Sequence, residues 1–237
     1  MKVQTEILDQ LNEEQQAPTI PAKIIKISYD PELAYGNFIL LDPENRDAKP
    51  DILGKEIEFV PLKEYGRYTR FNPAVNRSDI VSNFFSPFEA KKAVDRLSKR
   101  LITDLKAEGI ADIKYKLYFF GLLKKGKGFI PAVFVFVGAT LQSYIEVKDK
   151  ELDTIGKWRG YYKFRMETKK RKKGAVVYFS LNIEPIQLSD QELLEVVKIT
   201  PDYIEKVKTY IKEVNSYIEP VEQQTEQEDE PISLDDI

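Results

Sequence analysis

Lys157-Trp158-Arg159-Gly160-Tyr161-Tyr162-Lys163-Phe164-Arg165-Met166, followed closely by Lys169-Lys170-Arg171-Lys172-Lys173-Gly174, is the stretch from which the rest of the chain is read. Taken with a period of two, Trp158, Tyr162, Phe164 and Met166 fall on one side, and Lys157, Arg159, Tyr161, Lys163 and Arg165 on the other. That pattern predicts a strand with an apolar face turned to a core and a cationic face carrying one ring. Alternating cations track phosphates and an exposed ring stacks a base, so the face suits single-stranded nucleic acid. Trp158 shares parity with Phe164 and reads as core, whereas Tyr161 reads as the stacking ring.

Neighbouring segments repeat the theme. Ile113 to Leu123 alternates Lys114, Lys116, Tyr118 and Phe120 against Ile113, Tyr115, Leu117 and Phe119. Tyr118 and Phe120 belong either to an exposed face or beneath a covering layer. Lys124-Lys125-Gly126-Lys127-Gly128 reads as a hairpin turn into Phe129–Val137. Tyr65 to Phe71 interleaves Arg67 and Arg70 with aromatic residues. Further strands are expected at Lys23–Tyr29, Asn37–Leu41, Lys55–Val60 and Ala175–Ile183, closed by Asp-Pro steps, proline or glycine.

The clearest helical pattern runs from Pro87 to Glu108. Ser86 and Glu89 have capping-box spacing, Ala90, Val94, Leu97, Leu101 and Leu105 form one stripe, and Gly109 supplies a stop. Residues 139–153 fit either a short helix or a strand and loop. Two helical segments, 190–198 and 201–217, are expected at the C-terminal end, the second starting at Thr200-Pro201.

The chain of 237 residues is 42% hydrophobic and can bury a sizeable core. It contains neither cysteine nor histidine, which removes disulfides, thiolate metal sites and histidine-based catalysis. Its apolar runs are too short to cross a bilayer, and its polar, acidic start is unlike a signal peptide, so a soluble, cytoplasmic protein is expected. The net charge of −3 conceals an asymmetry. Residues 219–237 hold eight acids and no base, and residues 1–18 hold four acids and one base, which leaves +8 on 19–218. Within 114–182, sixteen bases face five acids among fourteen aromatic residues. Partitioned in this way, an acidic chain carries a basic, aromatic centre fit for a nucleic acid.

Other motifs carry less. Gly121 to Gly128 approaches a phosphate-binding loop, but it lacks the Ser or Thr after the lysine and leads into a strand. Glu146-Val147-Lys148, with Asp51 or Asp112, matches the carboxylate–lysine pattern of a metal-dependent nuclease. The same spacing recurs at Glu89-Ala90-Lys91 and Glu167-Thr168-Lys169.

The cationic, aromatic-laced β segments at Tyr65–Phe71, Lys114–Phe120 and Lys157–Arg165, together with the acidic end Glu226–Ile237, resemble the single-stranded DNA-binding proteins of bacteriophages. The resemblance implies an α+β protein built on an OB-like antiparallel β-barrel, with one long packing helix and C-terminal helices. It also implies a non-enzymatic protein without cofactors that coats single-stranded DNA in replication or recombination. Residues 1–18 would be a flexible arm, 19–218 the binding domain, and 219–237 a disordered acidic tail recruiting replication or recombination proteins. The tail residues with that role would be Asp229, Glu230, Ile232, Leu234, Asp235, Asp236 and Ile237. Where related tails close on an aromatic residue, this chain has Ile237. The nucleic-acid contacts expected are Arg67, Arg70, Lys114, Lys116, Tyr118, Lys157, Arg159, Tyr161, Lys163, Arg165, Lys169, Lys170, Arg171, Lys172 and Lys173. The alternatives are the metal-dependent nuclease, or a virion or scaffold protein that binds no nucleic acid.

Overall fold

The computed structural model describes residues 18–45, 47–74 and 77–216; the acidic tail and most of the N-terminal arm lie outside them. Nine strands form one mixed sheet: β1 (Lys23–Ile27), β2 (Phe38–Leu41), β3 (Asp51–Gly54), β4 (Glu56–Asn72), β5 (Arg77–Val81), β6 (Lys114–Lys125), β7 (Gly128–Val137), β8 (Tyr162–Lys173) and β9 (Val176–Gln187). Their order is β3-β2-β1-β7-β6-β4-β8-β9, with β5 added to the far end of β4. All neighbours are antiparallel except β1 and β7, which run parallel. The fold is therefore α+β around an open sheet, in place of the expected closed antiparallel barrel. The connection between β1 and β2 meets β8 and β9 through side chains. Phe179 packs edge-on against Tyr29 and Tyr35 at centroid distances of 5.3 and 5.2 Å. The Thr168 hydroxyl donates to the Gly36 carbonyl at 2.7 Å.

The concave face follows the expected parity. Phe59, Leu117, Phe119, Phe134, Phe164 and Met166 are buried there, joined by Trp158, whose ring lies 5.4 Å from that of Phe164. A helix fills the hollow: α1 is Ile102–Ala107, and α2, Ala139–Val147, enters the sheet's curve and continues through a π-turn at Lys148–Leu152 to Ile155. Tyr144 and Leu152 bring it into the same core. The Ser143 hydroxyl accepts from the Leu181 N–H at 3.0 Å, satisfying a donor of β9 that has no neighbouring strand.

The opposite face is covered by α3 (Asp190–Ser216), one helix where two were expected. Pro201 lies inside it. The proline removes one intrahelical donor, while the Thr200 hydroxyl donates to the Val196 carbonyl at 2.7 Å. Val196, Tyr203, Val207, Tyr210, Ile211 and Val214 all pack on the sheet, and this tertiary contact holds the two halves in register. Ser189 and Glu192 form a capping box at its start.

The long packing helix expected over 87–108 is absent. Pro87–Lys92 is a 3-10 segment, Ala93 is extended, and only Ile102–Ala107 is α-helical. Buried Asp95 is the cause: its carboxylate accepts from the N–H groups of Val81 and Ser98 and from the Ser98 hydroxyl. These local bonds compete with a helical ladder. Leu97, part of the apparent stripe, is left 71% exposed.

Residues 157–161 also depart from the expected strand. Trp158 O accepts from the N–H groups of Tyr161 and Tyr162, making a turn through Gly160 at φ 77°. Pairing with β9 begins only at Tyr162.

Candidate nucleic-acid interface

The cations of the sheet divide into two populations. On one side of β8, Lys163 is only 7% exposed and binds Glu58 at 3.0 Å and Glu192 at 2.6 Å. Lys124 reaches the same two carboxylates at 3.0 and 2.7 Å. Arg165 lies 3.1 Å from Glu184 and 3.9 Å from Glu58. This cluster ties the start of α3 to β4, β6 and β8. Its lysines hold the Glu192 carboxyl down at about 2 against the opposing effect of burial. Arg159 pairs with Glu64, Arg70 with Asp79, and Lys169 with Glu167. Lys170 sits over the Tyr35 ring, and Arg171 donates to Ser180. Lys157 and Lys172 are exposed.

The second population lines a cleft of about 1080 Å³ that opens where β1 leaves β7. Their parallel pairing stops at Ile25 and Phe134, whereas β7 continues against β6 to Val137. Residues of both parities, Ile24 to Ile27 and Val133 to Val135, consequently line the opening. Lys26, Arg67, Lys114, Lys116 and Lys173 contribute to its wall, and among the described residues no Asp or Glu does. Tyr29, Tyr118, Tyr178 and Tyr210 add rings to it.

The electrostatics of this wall follow from burial first and from like charges placed together second. Burial, then Arg67, Lys26 and Lys114, push the Lys116 ammonium below its usual range. Burial likewise lowers Arg67, with Arg96 adding to that effect and the rings of Tyr118 and Tyr210 opposing it. Arg67 is fixed by its Nε donating to the Ser82 carbonyl at 2.9 Å and by its position 4.6 Å above the Phe84 ring. Tyr118 packs edge-on to the same Phe84 at 5.1 Å, and burial raises its phenol. Tyr29 is the more open ring of the wall, at 54% exposure.

Of the contacts expected from sequence, Arg67, Lys114, Lys116, Tyr118 and Lys173 thus meet in one place. Tyr161 is 56% exposed, but it stands in the turn before β8, not on a strand face, and does not line the cleft. Lys26, Tyr29, Tyr178 and Tyr210 were not singled out from sequence. Lys26 carried the only available signal, as a cation set within the alternating Lys23–Tyr29. The expected tail contacts, Asp229 to Ile237, lie outside the described residues.

The nuclease pattern is dispersed. Asp51 pairs with Lys125 at 2.7 Å, and Glu146 accepts from Gln142 on its own helix. Among the described residues no group of three or more acidic side chains is placed to hold a metal ion. No helix among them is long and apolar enough to span a membrane. Comparison with known protein families, curated proteins and solved structures finds no match to this chain.

Proposed function

We propose that the protein binds single-stranded nucleic acid in the cleft between β1 and β7. The observation that carries this reading is a concave wall to which the described residues contribute five cations, several tyrosines and no carboxylate. Five like charges facing one hollow repel each other, and an anionic chain relieves that repulsion while releasing its own counterions. Tyr29, the more open ring beside the cations, offers a face to unpaired bases, whereas a duplex keeps its base faces stacked inside itself. The pattern's resemblance to phage single-stranded DNA-binding proteins favours DNA, and a coating role in replication or recombination without catalysis. On that reading, residues 219–237 recruit replication or recombination proteins.

The test is anisotropy of labelled oligo(dT) against duplex and RNA of equal length. Oligo(dT) is expected to bind most tightly, and Lys116→Glu to weaken it sharply. Equal affinity for duplex, or full affinity in Lys116→Glu, would overturn the placement in this cleft.

A further inference from the structure

We infer that the segment 1–17 docks in the cationic cleft of its own chain, so that an incoming anionic strand must displace it. The inference rests on the reading of the cleft as an anion-binding groove and is independent of which anion is the ligand. Three observations carry it. Pro18, Thr19 and Ile20 line the cleft, so the segment before them is bonded directly to its wall. The residues immediately before them carry Glu6, Asp9, Glu13 and Glu14 against one base, Lys2. The wall they would meet has cations and, among the described residues, no acid.

The tether makes the contact effective. Fully extended, 17 residues reach about 55 Å, so the acids have ample slack to fold back from Pro18. A short tether presents them at a local concentration in the millimolar range, which makes even a weak contact compete. Ile7, Leu8 and Leu11 stand among the acids and suit the apolar part of the wall, where Ile24, Ile27 and Val135 are found. The other anionic end, residues 219–237, follows a helix that contributes Tyr210 to the wall but continues to Ser216. Segment 1–17 is thus bonded to a residue of the wall itself, Pro18, whereas 219–237 follows a helix end six residues past Tyr210.

The chain has no cysteine, so Gln10→Cys accepts a single environment-sensitive dye in the full-length protein. Its emission is expected to report a buried position at low salt, lost at high salt and lost when Lys26→Glu is added. Lys26 is exposed, which keeps that variant foldable, and a melting curve checks it. In parallel, the full chain bearing Glu6→Gln, Asp9→Asn, Glu13→Gln and Glu14→Gln should bind oligo(dT) about two- to tenfold more tightly at low salt, with the gain gone at high salt. A dye signal indifferent to salt and to Lys26→Glu overturns the inference. So does an oligo(dT) affinity unchanged by neutralising the segment, or a gain obtained only by neutralising acids in 219–237. Should the dye report docking while no form binds oligo(dT), docking stands and the nucleic-acid reading falls.

Discussion

Lys116 and Arg165 have the same charge and similar sequence surroundings, yet the fold gives them different work. Arg165 faces Glu184 and Glu58, so its charge is already matched. Lys116 stands among Arg67, Lys26 and Lys114, and its charge is opposed. Lys116→Ala should therefore flatten the salt dependence of oligo(dT) binding by about 0.7 in slope, the share of one phosphate contact. Arg165→Ala should leave that slope unchanged and lower the melting temperature; the reverse pattern would move the site to β8. The pH dependence follows from the burial of Lys116 and from the same neighbours. In the free protein the Lys116 value is depressed, and a bound anion favours its protonated form. Affinity should be full at neutral pH and decline as pH rises through that depressed value, before ordinary lysines lose their protons. For folding the sign is opposite: the cost of charged Lys116 is present below its folded value and is relieved as pH rises towards the unfolded one. An affinity flat into the range of ordinary lysines would contradict this account of the cleft.

At the scale of elements, two contacts decide whether the sheet and α3 hold together. Gly121 lies where β4 shifts register against β6, between Pro61 and Lys63. A Cβ there would sit 2.1 Å from the Val60 carbonyl oxygen, a backbone atom that cannot turn aside. Gly121→Ala should cost about 3 kcal/mol, read from denaturant unfolding. Glu192 is the other contact, since its loss leaves Lys163 and Lys124 sharing Glu58 alone. Glu192→Gln should destabilise by about 3 kcal/mol, because removing one partner strands a buried charge. Its carboxyl is depressed, so its stabilisation is present above the ordinary value of 4.5 and is lost as pH falls towards about 2. The wild type should lose stability through that window, and Glu192→Gln should lose less. These elements also show what a sequence can reveal. The parity of Trp158, Phe164 and Met166 was legible because a strand's period of two is local. The partners of Lys163 were not legible, because Glu58 is 105 residues away and only the folded sheet brings it near. The helix expected over 87–108 misled for a related reason: its stripe had the right period, but buried Asp95 bonds Val81, 14 residues back.

On the scale of the whole molecule, the net charge of −3 predicts repulsion from a polyanion, and only its distribution predicts the opposite. The described sheet gathers five cations at the break between β1 and β7, while Lys163, Arg165 and Lys169 of β8 are matched by carboxylates. If those five each neutralise one phosphate, log K should fall with log salt at a slope of about −3.5, using about −0.7 per contact on a single strand. Counting also the cations of β8 and its turn would make the slope steeper. A measured slope thus distinguishes a cleft from a broad cationic face. The stacking component behaves differently, since rings such as Tyr29 act on base faces and not on phosphates. Extrapolated to high salt, where phosphate contacts are screened, Tyr29→Ala should still weaken binding by about 1–3 kcal/mol, whereas Lys116→Ala should no longer matter. A Tyr29→Ala effect that vanished together with the lysine effect would mean that the ring only braces Phe179, with which it packs edge-on.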